Sequence, residues 1–480
     1  MSEYTSSVKN DPYRLKLHLM PPQGWLNDPN GLCQYDGIYH VFFQYVPEEA
    51  KGNGKKCWGH YTSADLLTWK FEGTFLKPDQ EFDRDGVYSG CSWTDEEGIH
   101  LFYTGNVKEA GDYDYIHSGR KASQVLVTTK DGLTAGDKKM VLTNSDYPEF
   151  CTCHVRDPKV WKEGNRYYMA LGARTEEDRG TVLIYESADL AAWKYFGEIG
   201  SQAPFGYMWE CPDYFQIGGA HFLSISPQGL ARGEFENQNV YQSGYFKLKN
   251  VIEILGNSKT GADGGMEYDR KENGARIEAD EAAFTEWDKG FDFYAPQTFT
   301  DERGRRILIG WMGLPDIEKE YKNPTVKSGW QHALTLPREI TYENGRLYQQ
   351  PVEELKHLRK AEKTIDSGEF FVPEEGIYEM IIDEIKADRC CVHFGGDLIL
   401  DYRDRVFSMK FLNDTGAGRT LRRAKVERLE DIRIIMDTSA VEVYVNHGST
   451  VFTSRYYPKN ERAAVRVECK KSRNTIWELS

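Results

Sequence analysis

The feature that most constrains this chain of 480 residues is a layout that recurs five times. Each copy has a polar or acidic lead-in, an apolar run, a turn rich in glycine and charge, and a second run of aromatic and branched residues. The copies occupy residues 27–45, 88–105, 156–172, 210–226 and 294–312, and their second runs align at Tyr39, Ile99, Tyr167, Ala220 and Arg306. Spacings of about 50 to 90 residues leave room for four strands per copy. The segment Ser63–Trp69 recurs as Ser187–Trp193, which predicts a hairpin further out in each of two units. Helical periodicity is nearly absent from residues 20 to 340, so the expected fold is all-β, a five-bladed β-propeller, with an array of β-sandwiches as the competing arrangement.

After Arg338 the pattern changes. VEELKHLRKAEK has helical spacing, and the seven runs beyond it read as strands at sandwich spacing. The expected organisation is a propeller domain over residues 1–345, a helical linker over 346–363 and a C-terminal β-sandwich over 364–480. The polar, glycine-containing stretch 256–275 reads as an exposed loop.

Charge narrows the class of partner. With 75 acidic and 60 basic side chains the chain carries a net charge of −15, which disfavours nucleic acid and anionic membranes and favours a small neutral molecule. The absence of a long apolar run and of a secretory signal in the first 20 residues points to the cytoplasm. Nine cysteines are scattered without zinc-finger spacing, and Cys151, Cys153 and His154 stand without a second pair, so no metal is expected. Oligomeric state is left open.

The repeats also predict a site. Asp28, Asp157 and Glu210 lie ten or eleven residues ahead of their aligned marks, and Ser89 and Tyr294 occupy the matching places in the other two copies. Inner strands of a propeller line its axis, so these side chains should meet at one level. Carboxylates brought together raise the pKa of at least one, which then serves as a proton donor, while an ionised partner serves as nucleophile; glycoside cleavage requires that pair. Asp-Pro at 28–29 and 157–158 could instead be simple turn starts. Trp25, Trp58, Trp93, Trp209 and Trp311 supply faces for sugar rings, and Asn27, Gln44 and Arg156 supply donors.

At these residues the chain resembles glycoside hydrolase family 32, through Trp25–Gly31 (WLNDPNG), Arg156-Asp157-Pro158 and Glu210–Asp213 (ECPD), with support from Trp58–His60, Tyr88–Gly90, Phe293–Ala295, Gly310–Gly313 and Leu334–Arg338. The resemblance covers nearly the whole chain. It implies a propeller joined to a sandwich, with Asp28 as nucleophile, Glu210 as acid/base and Asp157 as transition-state stabiliser. It also implies that Asn27, Gln44, Ser89, Arg156 and Tyr294 hold the terminal fructosyl unit, and that neither a metal nor an organic cofactor takes part. Trp58, Tyr88, Cys211 and Trp311 come from the same segments and complete the expected substrate-binding set.

The expected activity is a retaining β-fructofuranosidase acting on sucrose, sucrose 6-phosphate or short fructo-oligosaccharides. A fructosyltransferase of the same family and a non-catalytic sugar-binding propeller are the alternatives. Val46 replaces a usual side-chain amide, and Cys91 and Trp93 replace small residues, which is expected to narrow the pocket beyond the fructosyl ring. A 6-phosphate would need cations at the rim, and Lys51, Lys55 and Lys56 stand on a suitable loop.

Overall fold

A computed structural model describes residues 11–260, 275–459 and 463–480. Among the described residues, those between Gly24 and Pro351 form five mainly antiparallel sheets of four or five strands. Their first strands are Gly24–Tyr35, Val87–Asp95, Cys151–Glu163, Met208–Ile217 and Tyr294–Thr300. Each packs on the next and the last returns to the first, so the sheets radiate from a common axis. The ring is fastened by Trp330–Gln331, which runs parallel to Gly24–Trp25 at the inner edge of the first sheet. All five aligned marks fall in the second strand of a sheet, as the repeat predicts.

The Ser-Ala-Asp-Leu repeat joins third to fourth strands. Asp65 accepts from Ser63 Oγ and from the amides of Leu67 and Thr68, and Asp189 accepts from Ser187 Oγ and from those of Ala191 and Ala192. Asp131 builds the same turn in the second sheet with Thr129, Leu133 and Thr134, and its sequence is different enough to hide it.

The C-terminal unit has two six-stranded sheets, packed on a core that includes Met380, Val392, Leu400, Ile434 and Phe452. Two expectations about its neighbourhood need correction. The helical linker over 346–363 is a strand, Arg346–Pro351, a single 3-10 segment, Glu353–Leu358, and another strand, Arg359–Thr364. Pairing decides this: Arg346–Pro351 completes the fifth propeller sheet, and Arg359–Thr364 pairs with Arg473–Leu479 in the sandwich. The supposed loop from 256 begins inside a helix, Val251–Thr260, started by Asn250 Oδ1 accepting from the amides of Ile252 and Glu253. Val251 and Leu255 are fully buried there; residues 261–274 lie outside the described residues. No helix among the described residues is long and apolar enough to cross a membrane.

Candidate active site

All five inner strands break register at the same level, at Asn27-Asp28, Tyr88-Ser89, Asp157-Pro158, Cys211-Pro212 and Ala295-Pro296. A bulge turns side chains that would alternate across the sheet toward the axis, and it is where proline, lacking an amide proton, fits inside a strand. The Asp-Pro pairs are therefore bulges within strands rather than turns. Asp157, Cys211 and Ala295 have φ of 63°, 48° and 46°, a left-handed backbone that costs energy and is held by the surrounding sheet. Gly90 is required by contact: a Cβ there would meet the Phe102 carbonyl oxygen at 1.8 Å.

The bulges open on a pocket of about 400 Å³. Its wall brings together Asp28, Asp157 and Glu210 with Asn27, Gln44, Tyr88, Ser89, Arg156, Tyr294 and Trp311. Two expected substrate contacts are not on that wall. Trp58 is fully buried, with Nε1 donating to the Tyr88 carbonyl at 3.0 Å. Cys211 lies beneath the acids: its amide donates to Asp157 Oδ2 at 3.0 Å, and its Sγ sits 3.6 Å from that oxygen and 3.7 Å from Asp28 Oδ2.

Cys91 and Trp93 do not narrow this pocket either. Cys91 is buried, accepting from the Val160 amide, and Trp93 faces the other end of the axis. Trp209 is buried, whereas Trp25 and Trp311 meet edge to face on the wall at 6.0 Å between centroids. Lys51 and Lys56 reach the pocket and Lys55 does not.

The three acids have different surroundings. Ser89 Oγ donates to Asp28 Oδ2 at 2.5 Å and Asn27 Nδ2 to Oδ1 at 3.2 Å, Asn27 being held in turn by Trp25 Nε1 at 2.8 Å. Burial nevertheless raises Asp28 above the usual carboxylate range, and the nearby Glu210 adds to the shift. Asp157 is raised to about 7, chiefly by burial; Arg156 opposes the shift and the other two acids reinforce it. Glu210 accepts from Arg156 at 2.7 Å on Oε1, and from Gln228 at 2.8 Å and the Tyr294 hydroxyl at 2.7 Å on Oε2. Arg156 Nη1 is in turn anchored by His154 Nδ1 at 2.9 Å, whose Nε2 faces the Tyr115 carbonyl at 2.9 Å.

Gln228 and Arg120 escaped the sequence reading, and His154 was weighed there only as a metal ligand. His154 shares a strand face with Arg156 and was legible from alternation; Gln228 and Arg120 come from second and third strands, where no motif marks them. His154 is thereby committed to protein partners, and among the described residues no three His, Cys, Asp or Glu side chains converge to hold a metal.

Comparison with known proteins extends this. Residues 18–351 match the glycosyl hydrolases family 32 N-terminal domain and residues 395–478 the family 32 C-terminal domain. The sucrose-6-phosphate hydrolase of Bacillus subtilis is 37% identical over 489 residues, spanning 98% of this chain and 95% of that protein. The structure of the sucrose-6-phosphate hydrolase of Lactobacillus gasseri superposes with a TM-score of 0.86 at 27% identity, over 100% of this chain and 95% of that one. A mutant of a Bombyx mori family 32 β-fructofuranosidase in complex with sucrose superposes with a TM-score of 0.81 at 27% identity, over 99% and 97% of the two chains.

Proposed function

This chain belongs to glycosyl hydrolase family 32, and from that premise we infer that it releases the terminal β-fructofuranosyl unit of sucrose or sucrose 6-phosphate by a double displacement. The observation that carries the reading is the meeting of Asp28, Asp157 and Glu210 in one pocket, each with a different set of donors. Ser89 and Asn27 favour Asp28 as carboxylate against the pull of burial, which suits a nucleophile. Its oxygen bonds to the anomeric carbon as Glu210 gives a proton to the departing glucosyl oxygen. Glu210, now a carboxylate, takes a proton from the water that displaces Asp28 and frees fructose. Asp157, fixed by the Cys211 amide, faces the positive charge that develops on the ring.

Retention is checked by NMR of the first fructose released: β-fructofuranose is expected, and the α anomer would overturn the mechanism. Glu210→Gln should slow both steps and flatten the pH profile, with binding largely kept.

A second observation favours the phosphorylated sugar. Lys56 and Arg120 flank the wall segment Gly86–Ser89: the Val87 amide donates to the Lys56 carbonyl, and Arg120 donates to Asn106, whose amide holds Gly86. Both cations are half-buried, and neither pairs with a carboxylate among the described residues; Lys56 is lowered to about 8 by burial. An anionic substrate group would neutralise them. The reading expects kcat/KM for sucrose 6-phosphate to exceed that for sucrose, and the ratio to fall in Lys56→Met; an unchanged ratio would remove phosphate from the account. It also expects an intracellular setting and hydrolysis rather than transfer, checked as free fructose exceeding oligosaccharide at high sucrose.

A further inference from the structure

The inner strands have a second mouth. Their first halves carry the acid pocket, and their second halves open on a separate cavity of about 480 Å³ at the opposite end of the axis. Three cations, Lys159, Lys162 and Arg306, face it against one acid, Glu163, in a chain whose net charge is −15.

These cations are not equivalent. Lys159 is satisfied, donating to the Thr298 carbonyl at 2.6 Å and pairing with Asp213 at 3.1 Å. Lys162 lies over the Tyr167 ring at 4.9 Å. Arg306 lies over the Phe215 ring at 5.3 Å, makes one long bond of 3.4 Å to Thr298 Oγ1, and leaves its buried Nε without a partner. No carboxylate among the described residues is within ion-pair range of it. A half-buried guanidinium facing a cavity, its nearest carboxylate, Asp213, beyond ion-pair distance and already paired with Lys159, is costly unless an anion arrives from outside. Beside it the wall is aromatic: Trp161 packs at 4.8 Å from Tyr214, and both line the cavity. Such rings offer faces to an apolar or sugar ring.

We propose that this far mouth is a second binding site, for a small ligand that carries an oxyanion on a sugar-like ring, with Arg306 as the anion anchor and Trp161 and Tyr214 as the ring platform. The site is independent of the acid pocket and does not rest on the assignment of the reaction.

Isothermal titration of the full chain with glucose 6-phosphate, glucose and inorganic phosphate tests it. Glucose 6-phosphate is expected to bind, to keep binding in Lys56→Met and Asp28→Asn, and to weaken about tenfold or more in Arg306→Met. Arg306→Lys, which keeps the charge without the planar fork, should weaken it less. Trp161→Phe leaves the cation in place and should weaken the sugar phosphate alone, which keeps the test sharp if Arg306→Met fails to fold. Absence of binding, or binding lost in Lys56→Met and untouched by Arg306→Met and Trp161→Phe, would overturn the site. Glucose binding as tightly as its phosphate would overturn the anchor, and inorganic phosphate binding as tightly would overturn the platform.

Discussion

Two regions of this molecule each gather three carboxylates, and they treat them in opposite ways. In the pocket, Asp28, Asp157 and Glu210 share one ion-paired cation, Arg156, and both aspartates are pushed up. At the seam between propeller and sandwich, Asp288, Asp437 and Glu442 meet Arg338 and His18. Arg338 reaches Glu442 Oε2 at 2.9 Å and Asp288 at 3.2 Å; His18 reaches Asp437 at 2.8 Å and Glu442 at 3.0 Å; and the Tyr444 hydroxyl donates to Glu442. Asp437, which also accepts from the amides of Lys16, Leu17 and His18, and Glu442 are held down to about 2 despite burial, His18 rises to about 9, and Asp288 is raised, burial outweighing Arg338. Burial is deeper at the seam, where the three acids are closed off from solvent, than in the pocket, where Asp28 and Glu210 are half-buried, so burial alone would give the opposite order. The supply of cations and donors sets the order: at the seam it holds Asp437 and Glu442 down, and in the pocket it leaves Asp28 and Asp157 raised above the usual carboxylate range.

The sharpest break of this comparison is Asp28→Ala, expected to lower kcat by roughly 10⁴ or more on sucrose and sucrose 6-phosphate while the fold persists. Near-parental turnover in the purified variant would end the nucleophile assignment. Next comes Arg338→Met, which leaves Asp288 without a cation and Glu442 with His18 alone, and should cost about 3–5 kcal/mol in urea unfolding, with little change in KM for the protein that remains folded. Asp157→Asn should do the reverse, abolishing turnover while raising the unfolding temperature.

The pH dependence of that gain has a defined sign. Ionising Asp157 in the folded protein is opposed up to about pH 7, so the cost is absent below the ordinary aspartate value of 3.8 and complete above 7, and the gain should vanish near pH 4. The seam behaves otherwise. His18 contributes fully below 6.5 and is lost as pH rises through about 9; Asp437 and Glu442 contribute above about 4.5 and are lost as pH falls through about 2. His18→Gln should therefore destabilise most between pH 4.5 and 6.5, and a flat pH response would show that the seam is not held by charge. The smallest effect expected is Asn250→Ala, about 1 kcal/mol from the helix start, with the pocket untouched.

Much of the site was legible because the chain repeats. Alignment of second strands placed Asp28, Ser89, Asp157, Glu210 and Tyr294 at one level, and the structure puts all five on one wall. Trp58 and Cys211 were misplaced because adjacency in a motif does not tell which way a side chain faces once a bulge intervenes. The linker was misread for a related reason: helical periodicity in a short segment is a weak preference, and two waiting sheet edges outweigh it.

By itself, then, the sequence determined the fivefold repetition, the sandwich that follows it and the meeting of Asp28, Asp157 and Glu210, because periodic patterning and turn chemistry are local and survive in one dimension. Tertiary structure decided which side chains look inward, which cations stand unpaired, and that one ring of strands has two mouths of different character. Those outcomes depend on distances between blades, and a carboxylate acquires its proton affinity only from neighbours brought to it by residues far along the chain.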